Sequence, residues 1–491
     1  MTMKKMGWII LTILLSASIV IGGCSNSSGN QENGPGGSGQ TADPAENRNE
    51  KVKITFALGR STLEEDNQVY RQIVNEYNRL PEGKAEVELQ LVDFGDTGND
   101  HRTWVTTQLV GDSAPDIFRS RYIWTHEDYG KGLIADLTDD LELPNPYNNN
   151  KKWRDTFADS IIDNMIVPTS DRIAGIPTYS LSVRLYYNKE IFEEVGITEL
   201  PETWGEFMEV QEKIKAAGYV PMGIGFNKQG GDRPNWMMRY LSDQTVEHLV
   251  PELDLDKNGR ITSNEIVYGI DKGIIDFSKP PFKQLFPIMK DWTKYWPEGF
   301  TGLEERDATE MFLRGEAAMT LNLPSFIREV EGFFDYGVMR VPYLTKDIHP
   351  DAQEKYYEVA AGNPDGVYAL PKSITSEKKA AAVDFLMYLT SPKVQQIFAE
   401  QLYQVPVLKD AEFPPVIEAF LVINEPFKMN LFGPAFSKEL YETFGKEGQL
   451  YLNGTMSEEE FINAMNQAAQ NEAASLKESQ GWSEANNYGV K

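Results

Sequence analysis

Two periodicities alternate along most of this chain. Residues 52–58 (VKITFAL) form a run of β-branched and apolar side chains of strand length. Residues 66–80 follow with Val69, Ile73, Val74 and Tyr77 on one face at helical spacing. Residues 85–92 (AEVELQLV) return to period two, a helix is predicted near 104–109, and APDIF at 114–118 reads as a short buried strand. The pattern continues with a strand at 185–188 entering a helix, a helix over 203–217 with Trp204 in its first turn, and a buried strand at 317–322. Amphipathic helices are predicted at 378–389 and 392–402, and a capping box at 457–460 (SEEE) opens a last helix. There is no internal repeat. Strands alternating with helices predict an α/β protein with mostly parallel sheet. At 491 residues, two or three domains are expected rather than one core.

The first residues break the pattern. Lys4 and Lys5 precede an apolar run from Trp8 to Ile21, about fourteen residues against the roughly 20 a spanning helix needs. Residues 1–23 therefore read as a secretion signal, with an uncleaved membrane anchor as the alternative. The only cysteine, Cys24, follows Ile21-Gly22-Gly23 directly, so no intrachain disulfide is available to the fold. Residues 25–49 (SNSSGNQENGPGGSGQTADPAENRN) hold almost no side chain large enough to bury and read, within a segment 24–50, as a flexible tether spanning roughly 30 Å.

Composition narrows the chemistry. A formal net charge of −27 excludes nucleic acid and anionic lipid surfaces as electrostatic partners. The four histidines, His101, His126, His248 and His349, show no metal-ligand spacing. Aromatic residues make up 11% of the chain, available either to the core or to platforms for apolar ligand faces. Trp292, Tyr295 and Trp296 stand at helical spacing and are expected in the core.

One local motif carries specific chemistry. DLDKNGRITSNE, residues 254–265, fits the twelve-residue EF-hand calcium loop. Asp254, Asp256 and Asn258 would supply oxygens at positions one, three and five, Gly259 the turn, the Arg260 carbonyl position seven, Thr262 position nine and Glu265 both closing oxygens. A solvated turn is the alternative. With one loop rather than a pair, weakened by Pro251 before it and by Gly269 and Gly273 after it, a structural calcium staple is expected, not a switch.

Several segments together resemble one family. In order they are PDIF at 115–118, GLIADL at 132–137, AGIPTYSLSVRLYYNKEIFEEVGI at 174–197, LPETWGEF at 200–207, RGEAAMTLN at 314–322 and the stretch 369–400. This succession resembles the family-one extracellular solute-binding proteins, which include the maltose-binding protein. Ile21–Cys24 likewise resembles a bacterial lipobox, implying a lipid-acylated Cys24 (a palmitate-type anchor) on the outer face of the cell membrane.

The family resemblance implies a two-lobed clamshell of type II binding-protein form, with lobe one at 51–178 and 358–408, lobe two at 183–342 and 409–491, the loop 254–265 inserted in lobe two, and hinges near 179–182, 342–359 and Pro406. It implies a monomer that binds a carbohydrate without reacting with it and hands it to the permease subunits of an ABC importer. A secreted carbohydrate-active enzyme, or a solute-sensing or adhesion lipoprotein, is the alternative. By strand ends and family position the cleft is expected to use Arg119, Arg121, Tyr122, Trp124, Tyr179, Arg184, Trp236, Arg239, Asn322 and Phe326. Leu323-Pro324-Ser325 stands where maltose-type relatives carry Gly-Pro-Trp, which removes a stacking ring or leaves it to Phe326. Arg119 and Arg121 would also suit an acidic or sulfated sugar, or pair with surface carboxylates. Some solute-binding proteins for acidic polysaccharides carry a calcium loop of this kind.

Overall fold

In a computed structural model, residues 51–490 are described apart from 95–97, 169, 228–231, 260, 358–362, 422–430 and 432–437. The leader, Cys24, the tether and Arg260 lie outside the described residues.

The strands that position the site are β1 (Val52–Gly59), β2 (Ala85–Val92), β3 (Ile117–Ser120), β4 (Tyr179–Leu181), β5 (Arg184–Asn188), β6 (Val220–Met222), β7 (Ala317–Asn322), β8 (Tyr336–Met339), β9 (Asn363–Asp365) and β10 (Val367–Ala369). They form two four-stranded sheets, ordered β10-β3-β1-β2 and β8-β5-β7-β6. In the first, β1 runs parallel to β2 and β3, and only β10 is antiparallel. The second corrects the expectation of mostly parallel pairing, since β5 is antiparallel to both β7 and β8 and only β6 and β7 are parallel. The reason lies in how the chain enters. β5 follows β4 after a two-residue link and runs away from the connection, whereas β7 returns and ends beside its start, with Arg184 opposite Asn322.

Period-two alternation puts each sheet between two apolar layers. Ile54, Phe56 and Leu58 of β1 face a core with Ile73, Tyr77 and Phe385, and Ala57 faces Val105, Leu109 and Phe118 on the other side. In the second sheet Leu185 and Met319 join a core with Trp204, Phe207 and Trp292, while Tyr186 faces Phe326, Ile417 and Phe420. Each fully buried Val, Leu, Ile, Phe or Met among them contributes roughly 1.5–3 kcal/mol. Trp292, Tyr295 and Trp296 are core residues, as their spacing predicts.

Helix starts follow the capping chemistry in the sequence. The boxes Thr203/Glu206 and Ser457/Glu460 are both formed, opening helices Trp204–Ala216 and Glu458–Gln480.

Three crossings join the sheets side by side. β4 pairs antiparallel with β9, and Ser180 N donates to the Val405 carbonyl at 2.9 Å. The second crossing is thus at β9, past the expected 342–359. Leu344, Ala352 and Tyr357 of that stretch pack instead into the core of the second sheet.

Candidate functional site

The carboxyl ends of β1 and β3 in one sheet, and of β7 in the other, converge with the three crossings on a cavity of about 370 Å³. Strand carboxyl ends are where open α/β sheets bind ligands.

Arg119, at the end of β3, is the central cation. Its Nη2 donates to the Tyr179 hydroxyl at 2.8 Å and to Asp365 Oδ1 at 2.9 Å, and the guanidinium lies 5.5 Å from the Tyr179 ring centre. Burial pushes the Tyr179 hydroxyl well above its ordinary pKa, so it stays protonated. Asp365 Oδ1 also accepts from Gly366 N at 2.7 Å. Gly366 has φ +56°, and a Cβ there would lie 2.3 Å from Thr178 Oγ1, so glycine alone fits between the crossings.

The first sheet's wall continues through Ser61, Leu63, Asp66, Asn67 and Tyr70. Asn67 fixes the turn before its helix (Glu64–Arg79), accepting from Ser61 N at 2.9 Å and donating to Ser61 O at 3.0 Å. The opposite wall is Leu323, Pro324, Ser325, Arg328 and Glu329, directly after β7. Arg328 spans the cavity, pairing with Asp66 and donating to the Gln401 carbonyl. The third crossing supplies Leu402, Tyr403, Gln404 and Val405. Tyr403 takes φ +51°, unusual for a bulky residue. Its hydroxyl donates to the Glu331 carboxylate at 3.1 Å, and its ring lies 6.0 Å from the Arg328 guanidinium. The amide oxygen of Gln404 is buried and accepts no hydrogen bond from the protein.

Of the residues predicted for the cleft, Arg119 and Tyr179 line this cavity. Arg184 and Phe326 are consumed by the fold. Arg184 is 1% exposed and donates to the carbonyls of Ala419 (2.7 Å) and Leu421 (3.1 Å). Phe326 is 2% exposed and packs edge-on to Tyr186, so it replaces no stacking ring. Asn322 ends β7 just before the lining, its amide oxygen accepting from Leu323 N at 3.0 Å. Arg121 is exposed and lies over the Trp124 ring, which Arg102 and His101 also contact. Burial lowers the pKa of His101 to about 4, so it adds no charge there at neutral pH. Tyr122 packs on the first core. Trp236 packs on the second core from helix Asp232–Val246. Arg239, on the same helix, is buried 3.9 Å from Asp243.

Asp66, Arg328, Asp365, Tyr403 and Gln404 were not legible as site residues. Asp66 and Arg328 look like ordinary helical charges, and Tyr403 and Gln404 occupy the short link before Pro406. That proline was the only signal that the chain crosses there.

In the loop 254–265, one carboxylate oxygen each of Asp254, Asp256 and Glu265 lies within 4.8 Å of the others. Asp254 accepts from Asn258 N (3.1 Å) and Gly259 N (2.8 Å), and Gly259 has φ +74°. Glu265 is fully buried. It accepts from Leu255 N at 2.7 Å and Thr262 N at 2.9 Å, the second as part of a capping box for helix Ser263–Asp271. Burial raises its pKa. Ile261 is buried in the second core. Pro251, expected to break the entering helix, sits in the first turn of the short helix Val250–Leu253, where its missing N–H costs nothing. Gly269 is required where it stands, because a Cβ would meet Leu253 Cδ2 at 2.5 Å and Ile275 Cδ1 at 2.8 Å.

The sequence profile of the bacterial extracellular solute-binding proteins matches residues 61–396. The sn-glycerol-3-phosphate-binding periplasmic protein UgpB of Brucella abortus (strain 2308) is 23% identical over 236 residues, 48% of each chain. UgpB of Yersinia pestis is 23% identical over 267 residues, 51% of this chain and 55% of that one. The chain thus spans about half the length of the curated relatives it matches. Among solved structures, a chitin oligosaccharide binding protein superposes with TM-score 0.65 at 20% identity, covering 86% of this chain and 99% of the other. A maltose-bound T. maritima MalE3 gives 0.60 at 21% identity over 85% and 99%. At this identity the structural likeness speaks for the two-lobed fold alone.

Proposed function

The chain belongs to the bacterial extracellular solute-binding proteins, and on that premise we propose that it captures a carbohydrate between its two lobes and delivers it to the permease of an ABC importer. The observation that carries this reading is the cavity at the strand carboxyl ends, walled by both sheets and by the three crossings. Its lining mixes apolar walls (Leu63, Leu323, Pro324, Leu402) and tyrosine rings with hydrogen-bonding groups, the combination that buries the faces of a sugar and bonds its hydroxyls. A ligand that touches both lobes favours the closed arrangement because only that arrangement completes its contacts. No bond is broken in capture, and Asp66 and Asp365 serve as partners of Arg328 and Arg119. Titration calorimetry of the purified mature protein against a panel of glycans tests the reading. Saturable binding with the sugar recovered intact supports it; cleavage products, or no binding by any glycan, would overturn it.

Two further features belong to this reading. Cys24 is the proposed lipid anchor, tethering a monomer to the outer face of the membrane; among the described residues no helix is long and apolar enough to cross one. Cys24→Ala should leave the protein unprocessed and without acyl label, and normal acyl labelling of the variant would reject the anchor. The loop 254–265 is proposed to hold structural calcium. The carboxylates of Asp254, Asp256 and Glu265 stand together, and with the amide oxygen of Asn258 and the Thr262 hydroxyl from the same loop they offer the hard oxygen donors this ion takes. A bound cation supplies the charge that offsets repulsion among the clustered carboxylates.

A further inference from the structure

The charge and hydrogen-bond balance of the cavity says what kind of solute it accepts. Among the described lining residues there are two cations, Arg119 and Arg328, against three carboxylates, Asp66, Glu329 and Asp365. Both arginines are already spent. Arg119 is held by Asp365 and the Tyr179 hydroxyl, and Arg328 by Asp66 and a backbone carbonyl. A phosphate or carboxylate entering here would meet paired guanidinium groups and a surplus of negative charge, and would have to break an ion pair to be neutralised.

The unsatisfied group points the same way. The Gln404 amide oxygen is a buried acceptor with no donor, on a backbone anchored by the bond from Gln404 N to the Phe398 carbonyl at 3.2 Å. A buried acceptor left unpaired is costly, and a ligand that supplies a donor removes that cost. A sugar hydroxyl can do this, so the acceptor favours hydroxyl-bearing solutes, and the charge balance above decides between their neutral and anionic forms. The volume of about 370 Å³ falls near the lower end of ligand clefts, roughly 300–1,000 Å³, and suits a solute of one or two sugar rings rather than a stretch of polymer.

We propose that this cleft selects uncharged, hydroxyl-rich solutes of mono- or disaccharide size, that Gln404 is a specificity-determining acceptor for one of their hydroxyls, and that the Arg119–Asp365 pair excludes anionic counterparts. The inference rests on the carbohydrate reading above and narrows it. It also separates this chain from the glycerol-phosphate-binding relatives that match part of it, and it sets aside an acidic or sulfated sugar as the cargo of Arg119 and Arg121.

The test is calorimetry on the intact mature protein with neutral mono- and disaccharides, each beside its 6-phosphate or uronic acid counterpart, and with sn-glycerol 3-phosphate. A neutral sugar should bind, and its anionic counterpart should bind at least roughly tenfold more weakly. Gln404→Leu should weaken the neutral sugar about tenfold with an unchanged melting temperature. Asp365→Asn, which frees Arg119, should narrow the gap between neutral and anionic forms. Anionic forms binding as tightly as neutral ones to the unaltered protein would overturn the inference while leaving the carbohydrate reading standing. Full affinity in Gln404→Leu would overturn the role given to that residue. No binding by any sugar, charged or not, would overturn both readings.

Discussion

At the scale of single residues, burial decides what a polar side chain can do. Asp243 is buried with no hydrogen bond to its Oδ1, and Arg239 stands 3.9 Å away, too far for a close pair. Desolvation outweighs the attraction of Arg239 and pushes the Asp243 pKa up to about 8. The folded state therefore holds a proton that the unfolded chain releases near pH 4. The corresponding stability is fully present below that value and is lost as pH rises through about 8, by up to about 1.4 kcal/mol per pH unit. Melting temperature should fall as pH rises from 5 to about 8 and level off above it, and Asp243→Asn should flatten that fall. An unchanged slope in the variant would mean that Asp243 is ionised throughout.

Glu265 allows a cleaner separation of roles. Gln at this position keeps the capping box but loses the charge that closes the loop around a cation. Glu265→Gln keeps only one of the two acceptors, so it should melt below the unaltered protein even in chelator, and it should also lose the upward shift that calcium produces, at concentrations on the order of 0.1–1 mM. A shift that survives would remove the metal site. The loop was legible in the sequence because its donors are contiguous. The cleft was not, because its residues come from six separate stretches, and nothing local tells Arg119, which reaches Asp365, from Arg184, which is buried against two carbonyls.

At the scale of elements the sequence was most informative where the signal is local. Caps, strand alternation and amphipathic faces all predicted elements that form within a few residues of their expected bounds, as Ser457 and Thr203 illustrate. It was least informative where long-range packing decides. Gly269 weakens a helix by about 1 kcal/mol in propensity, yet the close approach of Leu253 and Ile275 requires it. Gly269→Ala should accordingly destabilise the protein, by about 1–3 kcal/mol, where propensity alone predicts a gain. Denaturant titration distinguishes the two signs. The second crossing was misplaced for the same reason. Residues 342–357 carry no strand pattern, and their membership in the second core depends on Leu344 and Tyr357 finding partners far away in sequence.

At the scale of the molecule the question is what favours closure before a ligand arrives. Among the described residues Arg328 makes the direct ionic link across the mouth of the cavity, from the segment after β7 to Asp66 on the first helix and to the carbonyl of Gln401. Both side chains are about a quarter exposed, so solvent screens the pair and its contribution is about 1 kcal/mol. That is small for folding but is a roughly fivefold change in a balance between open and closed lobes. Since a ligand gains only from the state that completes its contacts, removing the link should weaken sugar binding by at least about the same factor. Arg328→Ala and Asp66→Asn should each enlarge the radius of gyration of the sugar-free protein in solution scattering. The double variant should add little to either, because both substitutions remove one interaction. Full additivity, or profiles identical to the unaltered protein, would show that closure is governed by the crossings and the ligand alone.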